Sequence, residues 1–178
     1  MRRDELDRFL AGVECRALRI AELATHDRDE ALDLVQDAML ALVRRYSDRA
    51  PAEWAPLFHR ILQNGIRDWM RRRTFRARLR AWLGRPSEED APDPIEALAD
   101  PDGVDPAMHF ERSDSGRHLE AALHALPLRQ QQAFLLRAWE GLDVAETARA
   151  MRCSQGSVKT HYSRAIQALR TRLGDESR

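Results

Sequence analysis

Apolar residues recur every three or four positions along most of the chain, which is the spacing of an amphipathic α-helix. In the N-terminal half this pattern predicts three helices. The first ends at Thr25-His26-Asp27, the second ends near Tyr46, and the third runs from Trp54 to about Leu83. Runs of β-branched residues are nearly absent, so strands receive little support. The predicted fold class is all-α.

The last third of the chain predicts four shorter helices. One helical stripe stops at Pro127, and a second helix spans Arg129 to Glu140 and is followed by Gly141. Asp143 then starts a short third helix, and Ser154 caps a long fourth one. A short capped helix, a tight break and a long helix with a polar front are the sequence form of a helix-turn-helix.

The segment between the two halves has a different composition. Residues 84–114 carry ten acidic residues but only Arg85 and Arg112, so their net charge is −8 in a chain that is neutral as a whole. The segment also holds five of the eight prolines and offers little apolar area to offset chain entropy. We therefore predict two small helical domains, residues 1–83 and 114–178, joined by a flexible acidic linker, residues 84–113.

The long final helix carries the first candidate binding site. Its polar face lies opposite Val158, Tyr162 and Leu169. Short hydrogen-bonding side chains near a helix start can reach base edges, and basic ones can reach phosphates or guanine. A solvated face of an ordinary helix pair is the alternative. The candidate DNA-binding residues are Gln155, Ser157, Lys159, Thr160, Ser163 and Arg164.

A second candidate site lies near the end of the third helix. Residues 60–85 hold nine arginines and a single acid, Asp68, interleaved with Trp69, Phe75 and Trp82. Arginines that track a backbone and aromatic rings that stack on bases suit single-stranded DNA. Arginines snorkelling around a core that contains the tryptophans would give the same composition, and composition alone does not separate the two.

A third candidate is an acidic stripe on the second helix. Asp33, Gln36, Asp37 and Leu40 follow the spacing of one helix face. Taken alone, this pattern favours an ordinary solvated face.

Several classes of function lack support. The six histidines show no metal-ligand spacing, and the chain has no nucleophile elbow and no phosphate-binding glycine loop. We therefore predict no catalytic residue, no metal site and no cofactor. Cys15 and Cys153 are expected to be buried, inert thiols. No apolar stretch is long enough for a membrane span or a signal peptide, which predicts a cytoplasmic protein without membrane insertion.

Several motifs, in order along the chain, resemble one known family, the extracytoplasmic-function subfamily of the sigma-70 RNA polymerase sigma factors. The resemblance covers nearly the whole chain outside the linker. Asp33–Ala38 is similar to the family's DLVQ(E/D) motif, and Phe58–Asn64 with Asp68 and Arg71-Arg72 is similar to its LYRIAxN…D…RR stretch. Leu123–Pro127 and Glu140–Thr160 are similar to the opening and core of its region 4.

The resemblance implies a role for each candidate surface. The fold would be a region 2 helical bundle and a region 4 helix-turn-helix, and the partners would be the β′ and β subunits of core RNA polymerase, promoter DNA and a cognate anti-sigma factor. The acidic stripe would bind polymerase, and the final helix would bind the −35 element. The residues implied for the −10 element are Asn64, Arg67, Asp68, Arg71, Arg72, Arg73 and Arg76.

Two other classes of function stay open on the residues alone. A free-standing helix-turn-helix regulator would bind DNA without polymerase, and a nucleic-acid enzyme would need a catalytic constellation. For the linker, the resemblance implies a path through the polymerase cleft, where its negative charge would meet basic walls. The equal alternative is that the acidic residues only keep a tether soluble.

Overall fold

Seven α-helices make up the part of the chain that the computed structural model describes, residues 2–83 and 114–175. These two ranges contain no β-strand, so the all-α class is confirmed. The predicted linker, residues 84–113, lies outside the described residues. The helices are α1 (Arg2–Thr25), α2 (Arg28–Tyr46), α3 (Pro51–Trp82), α4 (Asp114–His124), α5 (Leu128–Phe134), α6 (Val144–Met151) and α7 (Gln155–Asp175), and a π-helical turn, Leu135–Trp139, extends α5.

The two helices of the helix-turn-helix begin at the predicted residues. Gly141 has a φ of +70°, a conformation that glycine adopts without strain. At the start of α6 the Asp143 carboxylate accepts from the Glu146 backbone N–H at 2.7 Å, and the Glu146 carboxylate accepts from the Asp143 N–H at 2.8 Å. The Ser154 hydroxyl accepts from the Ser157 N–H at 3.1 Å and caps α7. These side chains satisfy N–H groups that a helix start leaves without partners.

The three N-terminal helices form one bundle around a shared apolar core. Large side chains from α3 fill its centre, because their spacing places them on one face. Smaller residues of α1 and α2 let those helices approach closely. The central buried residues are Val13, Ala17 and Ile20 of α1, Ala38 and Leu42 of α2, and Trp54, Phe58, Leu62 and Ile66 of α3.

The C-terminal helices pack directly against this bundle, with α6 against α3 and α4 against α1. Ala122, Leu123 and Leu126 join the same buried cluster as Ile20 and Leu23 of α1. Burying apolar area across the contact contributes about 25 cal/mol per Å². Sequence analysis predicted the two halves but no contact between them.

The C-terminal end of α1 is a meeting point of three other helices. The Leu23 carbonyl lies 2.9 Å from Nδ1 of His124 on α4 and accepts from Nε2 of Gln131 on α5 at 3.3 Å. The Thr25 carbonyl accepts from the Arg73 guanidinium on α3 at 3.3 Å. The last carbonyls of a helix have no intrahelical donor. Side chains from both halves of the chain therefore supply hydrogen-bond partners for the carbonyls at the end of α1.

A buried carboxylate links the halves at a second point. Glu140 follows the π-helical turn, and its side chain is only 3% exposed. Its Oε2 lies 3.2 Å from Nε2 of His59 on α3, and its Oε1 accepts from Nε of Arg16 on α1 at 3.3 Å. Burial raises the pKa of Glu140, but His59 and Arg16 outweigh it and hold the pKa below its ordinary value.

Arg152 connects α6 to α7 in an unusual backbone conformation. Its φ of 52° and ψ of 53° lie in the left-handed region. An L-residue with a Cβ is strained there, whereas glycine is not. The turn of the helix-turn-helix thus carries an arginine where backbone geometry favours glycine.

We expect Glu140→Gln to weaken the contact between the halves. Loss of the negative charge leaves buried His59 and Arg16 with a neutral acceptor, which should lower the free energy of unfolding by about 2 kcal/mol at pH 7. The folded pKa is lowered, so this stabilisation is present above the ordinary pKa and is lost as the pH falls through the folded value. Urea unfolding should therefore show a gap between parent and variant that narrows as the pH falls below the ordinary value of a glutamate carboxyl, 4.5. Glu14→Gln on the exposed face of α1 is the control, and a gap as wide at pH 3 as at pH 7 would contradict the assignment.

We expect Arg152→Gly to stabilise the fold. Relief of the left-handed strain should exceed the entropy that glycine adds to the unfolded chain, a net gain of about 0.5–1 kcal/mol. Arg149→Gly, three residues earlier inside α6, should instead cost about 1 kcal/mol. Thermal unfolding of both variants measures the difference. Equal destabilisation by the two changes would refute the strain argument.

Candidate nucleic-acid and protein interfaces

The acidic stripe is exposed along one face of α2. Asp33, Gln36 and Asp37 are exposed, and Leu40 keeps 50% of its surface in solvent. No ion pair joins either aspartate to a cation among the described residues. Val43 is 41% exposed and continues the stripe one turn beyond Leu40. Sequence analysis missed Val43, although its spacing of three residues from Leu40 is the signal that could have found it.

The acidic stripe faces solvent because the opposite face of α2 is the one that packs into the core. The Asp27 carboxylate caps the helix by accepting from the Glu30 N–H at 3.0 Å. Ala31, Val35 and Ala38 are buried against the other two N-terminal helices. The stripe is therefore a rigid surface that combines negative charge with an exposed apolar knob, which suits a basic protein partner.

The basic segment of α3 divides into two parts. Asp68, Arg71, Arg72, Arg73 and Arg76 are exposed, but Asn64 and Arg67 are half-buried where α3 meets the C-terminal helices. Asp68 pairs with Arg71 at 3.2 Å. Arg73 is held by the Thr25 carbonyl and by the face of Trp69, with 5.3 Å from its guanidinium carbon to the ring centroid. Arg71, Arg72 and Arg76 thus form the accessible part.

The aromatic residues of this segment do not act together. Trp69 is 6% exposed and belongs to the core, so it is not available to stack on a base, contrary to one of the two readings of this segment. Phe75 and Trp82 are 66% and 81% exposed. The accessible pairing of arginine with aromatic rings therefore lies in residues 71–82, further along α3 than the motif around Trp69 indicated.

The polar face of α7 is open to solvent while its apolar face is buried. Gln155, Lys159, Ser163 and Arg164 are exposed. Val158, Ala165 and Leu169 on the other side are buried. This face of α7 is therefore accessible to a partner in the packed molecule.

The hydroxyl groups of two predicted DNA-binding residues on α7 already form hydrogen bonds within the helix or its cap. Ser157 is half-buried, and its Oγ lies 2.9 Å from the Oγ of the capping Ser154. The Thr160 hydroxyl donates to the Gly156 carbonyl at 3.0 Å but is exposed and free to accept. Thr160 is therefore better placed than Ser157 to read a base.

Two further cations lie beside the predicted sites. Arg129 and Arg152 are close enough to Arg67 to lower its pKa, behind burial as the main cause. Burial, then Arg129 and Arg164, lower the pKa of His161, which favours its neutral form. Sequence analysis missed Arg129 and Arg152, because a lone arginine carries no signal until the fold places it beside others.

Neither a membrane span nor a metal centre is found in the described part of the chain. None of its helices is both long and apolar enough to cross a membrane. No group of three or more His, Cys, Asp or Glu side chains in residues 2–83 and 114–175 is arranged to hold a metal ion. The expectation that both thiols are buried is wrong for Cys15, which is exposed on the outer face of α1, whereas Cys153 is half-buried and its partial burial raises the pKa of the thiol.

Comparison with known proteins returns one family throughout. The family model for sigma-70 region 4 matches residues 117–169. An ECF RNA polymerase sigma factor, SigM of Mycobacterium tuberculosis, is 32% identical over 88% of this chain and 70% of its own length. RNA polymerase sigma-E factor of Streptomyces avermitilis is 31% identical over 95% of this chain and 85% of its own length. ECF sigma factor SigE of Mycolicibacterium smegmatis is 29% identical over 98% of this chain, which spans 62% of that relative.

A solved structure supports the arrangement of the helices. The sigma factor RpoE of Bartonella quintana, crystallised with the anti-sigma factor NepR, superposes with a TM-score of 0.67. The match covers 94% of this chain and 96% of that one, at 23% identity. Both halves of the chain therefore share its fold.

Proposed function

The chain belongs to the extracytoplasmic-function family of RNA polymerase sigma factors, and we propose that it directs core RNA polymerase to promoters. The observation that carries the proposal is the helix-turn-helix whose long helix, α7, buries its apolar face and exposes Lys159, Thr160, Ser163 and Arg164. In this proposal the chain only binds, and the polymerase performs RNA synthesis. It acts in the cytoplasm, where polymerase meets DNA.

The α7 face binds the −35 element as duplex. Lys159 and Arg164 contact phosphates or guanine, and Gln155, Thr160 and Ser163 are within reach of base edges. Ser157 contributes chiefly by capping the helix.

The exposed end of α3 binds the −10 element as it opens. Arg71, Arg72 and Arg76 follow the backbone, and the exposed ring of Phe75 offers a stacking platform for an unpaired base. Asn64 and Arg67 face the C-terminal helices, so their contact with DNA requires the two halves to move apart. Arg73, which is tied to α1, orients the segment.

The acidic stripe of α2 binds core polymerase. Asp33 and Asp37 complement a basic surface of the β′ subunit, and Leu40 with Val43 supplies the apolar contact. The β subunit is the second proposed contact. A cognate anti-sigma factor is a further proposed partner, since the structural neighbour is a sigma factor in complex with an anti-sigma factor. Relatives that align along 88% or more of the chain favour this proposal over a free-standing regulator.

Charge reversal in the stripe tests polymerase binding. Asp33→Arg with Asp37→Arg places like charge against the proposed basic surface, which should weaken core binding by about tenfold or more while helix content stays unchanged. Asp7→Arg with Glu14→Arg makes the same change of charge on exposed positions of α1 and should have little effect. Affinity is measured by fluorescence anisotropy with labelled protein and core polymerase. Normal holoenzyme formation by the stripe variant would refute the assignment.

Alanine substitutions along α7 test how the −35 contacts divide. Lys159→Ala and Arg164→Ala should each lower the slope of log K against log salt by about one unit, as expected for a lost phosphate contact. Thr160→Ala and Ser163→Ala should instead change the preferred −35 sequence. Arg172→Ala, at the exposed far end of α7, is the control. Holoenzyme binding to a promoter library at several salt concentrations measures both effects, and one unchanged preference in all four variants would contradict the division.

A further inference from the structure

A groove of about 970 Å³ runs between α3 of the N-terminal half and α6 of the C-terminal half. Arg49 and Arg60 line it from one side, and Arg149 and Arg152 line it from the other. The volume is within the range of sites that hold small molecules. The groove exists only while the two halves are packed together, because each half supplies one wall.

The groove has four arginines and two carboxylates, Glu53 and Glu146, which leaves an excess of two positive charges, and both carboxylates are fixed by backbone N–H groups. The Glu53 carboxylate accepts from the Ala50 backbone N–H at 3.3 Å, and Glu146 completes the capping box of α6. The Arg60 guanidinium donates to the Tyr46 hydroxyl at 3.1 Å. In contrast, no ion pair joins Arg49, Arg149 or Arg152 to a carboxylate among the described residues.

Positive charge continues beyond Arg152 toward the buried end of the contact. Arg129 is fixed there by donation to the Met151 carbonyl at 2.8 Å. Burial, then Arg129 and Arg152, hold the pKa of Arg67 below its ordinary value. Like charges brought together in this way oppose the docking of the halves unless a counter-charge is supplied.

The backbone of Arg152 is an independent sign that its side chain has a role. The left-handed conformation favours glycine at this position, yet an arginine is present and lies exposed at the edge of the groove. Strain retained at such a position is typical of a functional site.

We propose that this groove binds a small polyanion with linked phosphate groups, either inorganic polyphosphate or a nucleoside polyphosphate, held by arginines of both halves. Guanidinium groups bind phosphate oxygens through paired, charge-assisted hydrogen bonds, and arginines on two walls can take successive phosphates of one ligand.

The ligand binds only the packed form, so it stabilises that form by mass action. Asn64 also lines the groove. If the proposed function holds, a bound polyanion therefore keeps a −10 residue from DNA and opposes initiation. The binding itself is independent of that function and is tested without transcription.

Isothermal titration of the full chain with sodium tripolyphosphate at fixed ionic strength measures the binding. Arg149→Gln with Arg152→Gln should weaken it by about tenfold or more, and Arg49→Gln on the opposite wall should weaken it as well. Arg170→Gln with Arg172→Gln removes equal charge from the exposed far end of α7 and should change it less than about twofold. Equal loss in the control pair, no loss in Arg49→Gln, or parent binding no tighter than that of sulfate would each overturn the proposal.

Arg152→Gly separates loss of the site from loss of the fold. Its unliganded thermal midpoint should be no lower than that of the parent, yet tripolyphosphate should raise its midpoint less. An equal rise in both proteins would overturn the role of Arg152.

Titration with GTP tests the nucleoside source, and tighter binding than tripolyphosphate would assign the groove to a nucleotide. Binding of a single-stranded oligonucleotide but not of tripolyphosphate would make the groove a DNA path and overturn the proposal.

Discussion

One buried carboxylate links the two halves of the molecule and constrains how they pack. Glu140 comes from the C-terminal half, yet its side chain lies 3.2 Å from His59 of α3 and 3.3 Å from Arg16 of α1. A charge that is 3% exposed is tolerated only with such partners, because desolvation without them is costly. The halves therefore cannot separate without either hydrating Glu140 or leaving His59 unpaired. Burial of apolar side chains stabilises the contact between the halves. The pairing of Glu140 with His59 and Arg16 fixes their relative position.

The packing of the two halves leaves two of the three candidate binding surfaces accessible and covers part of the third. The acidic stripe of α2 and the polar face of α7 point away from the contact and are open. Asn64 and Arg67 lie within it. Under the proposed function, the packed form exposes Asp37 and Lys159 but covers part of the −10 surface. Asn64 and Arg67 would become accessible to DNA only when the halves separate.

Local signals explain how much could be read from the sequence. Asp143 with Glu146 and the capping Ser154 act over three residues, so the starts of both helices of the helix-turn-helix were predictable. The contact between the halves depends on pairs far apart in sequence, such as His59 with Glu140, for which a single chain gives no pattern. Trp69 is a second example, because the arginines near it in sequence suggested an accessible ring. In the folded chain its side chain is buried in the core. The predicted domain bounds and individual contact residues stay predictions.

Two electrostatic terms of opposite sign act across the same contact. Glu140 draws α3 and α1 toward the C-terminal half, whereas Arg129 and Arg152 of that half repel Arg67 of α3. The attractive pair is buried and weakly screened, but the arginines at the groove are partly exposed and respond to salt and to bound anions. An anion that neutralises those arginines therefore adds to the stabilisation that the apolar core and Glu140 already give the packed form. Under the proposed binding of a polyanion, Arg152 is the point at which a ligand would act on this balance, because it lines the groove and lowers the pKa of Arg67 across the contact.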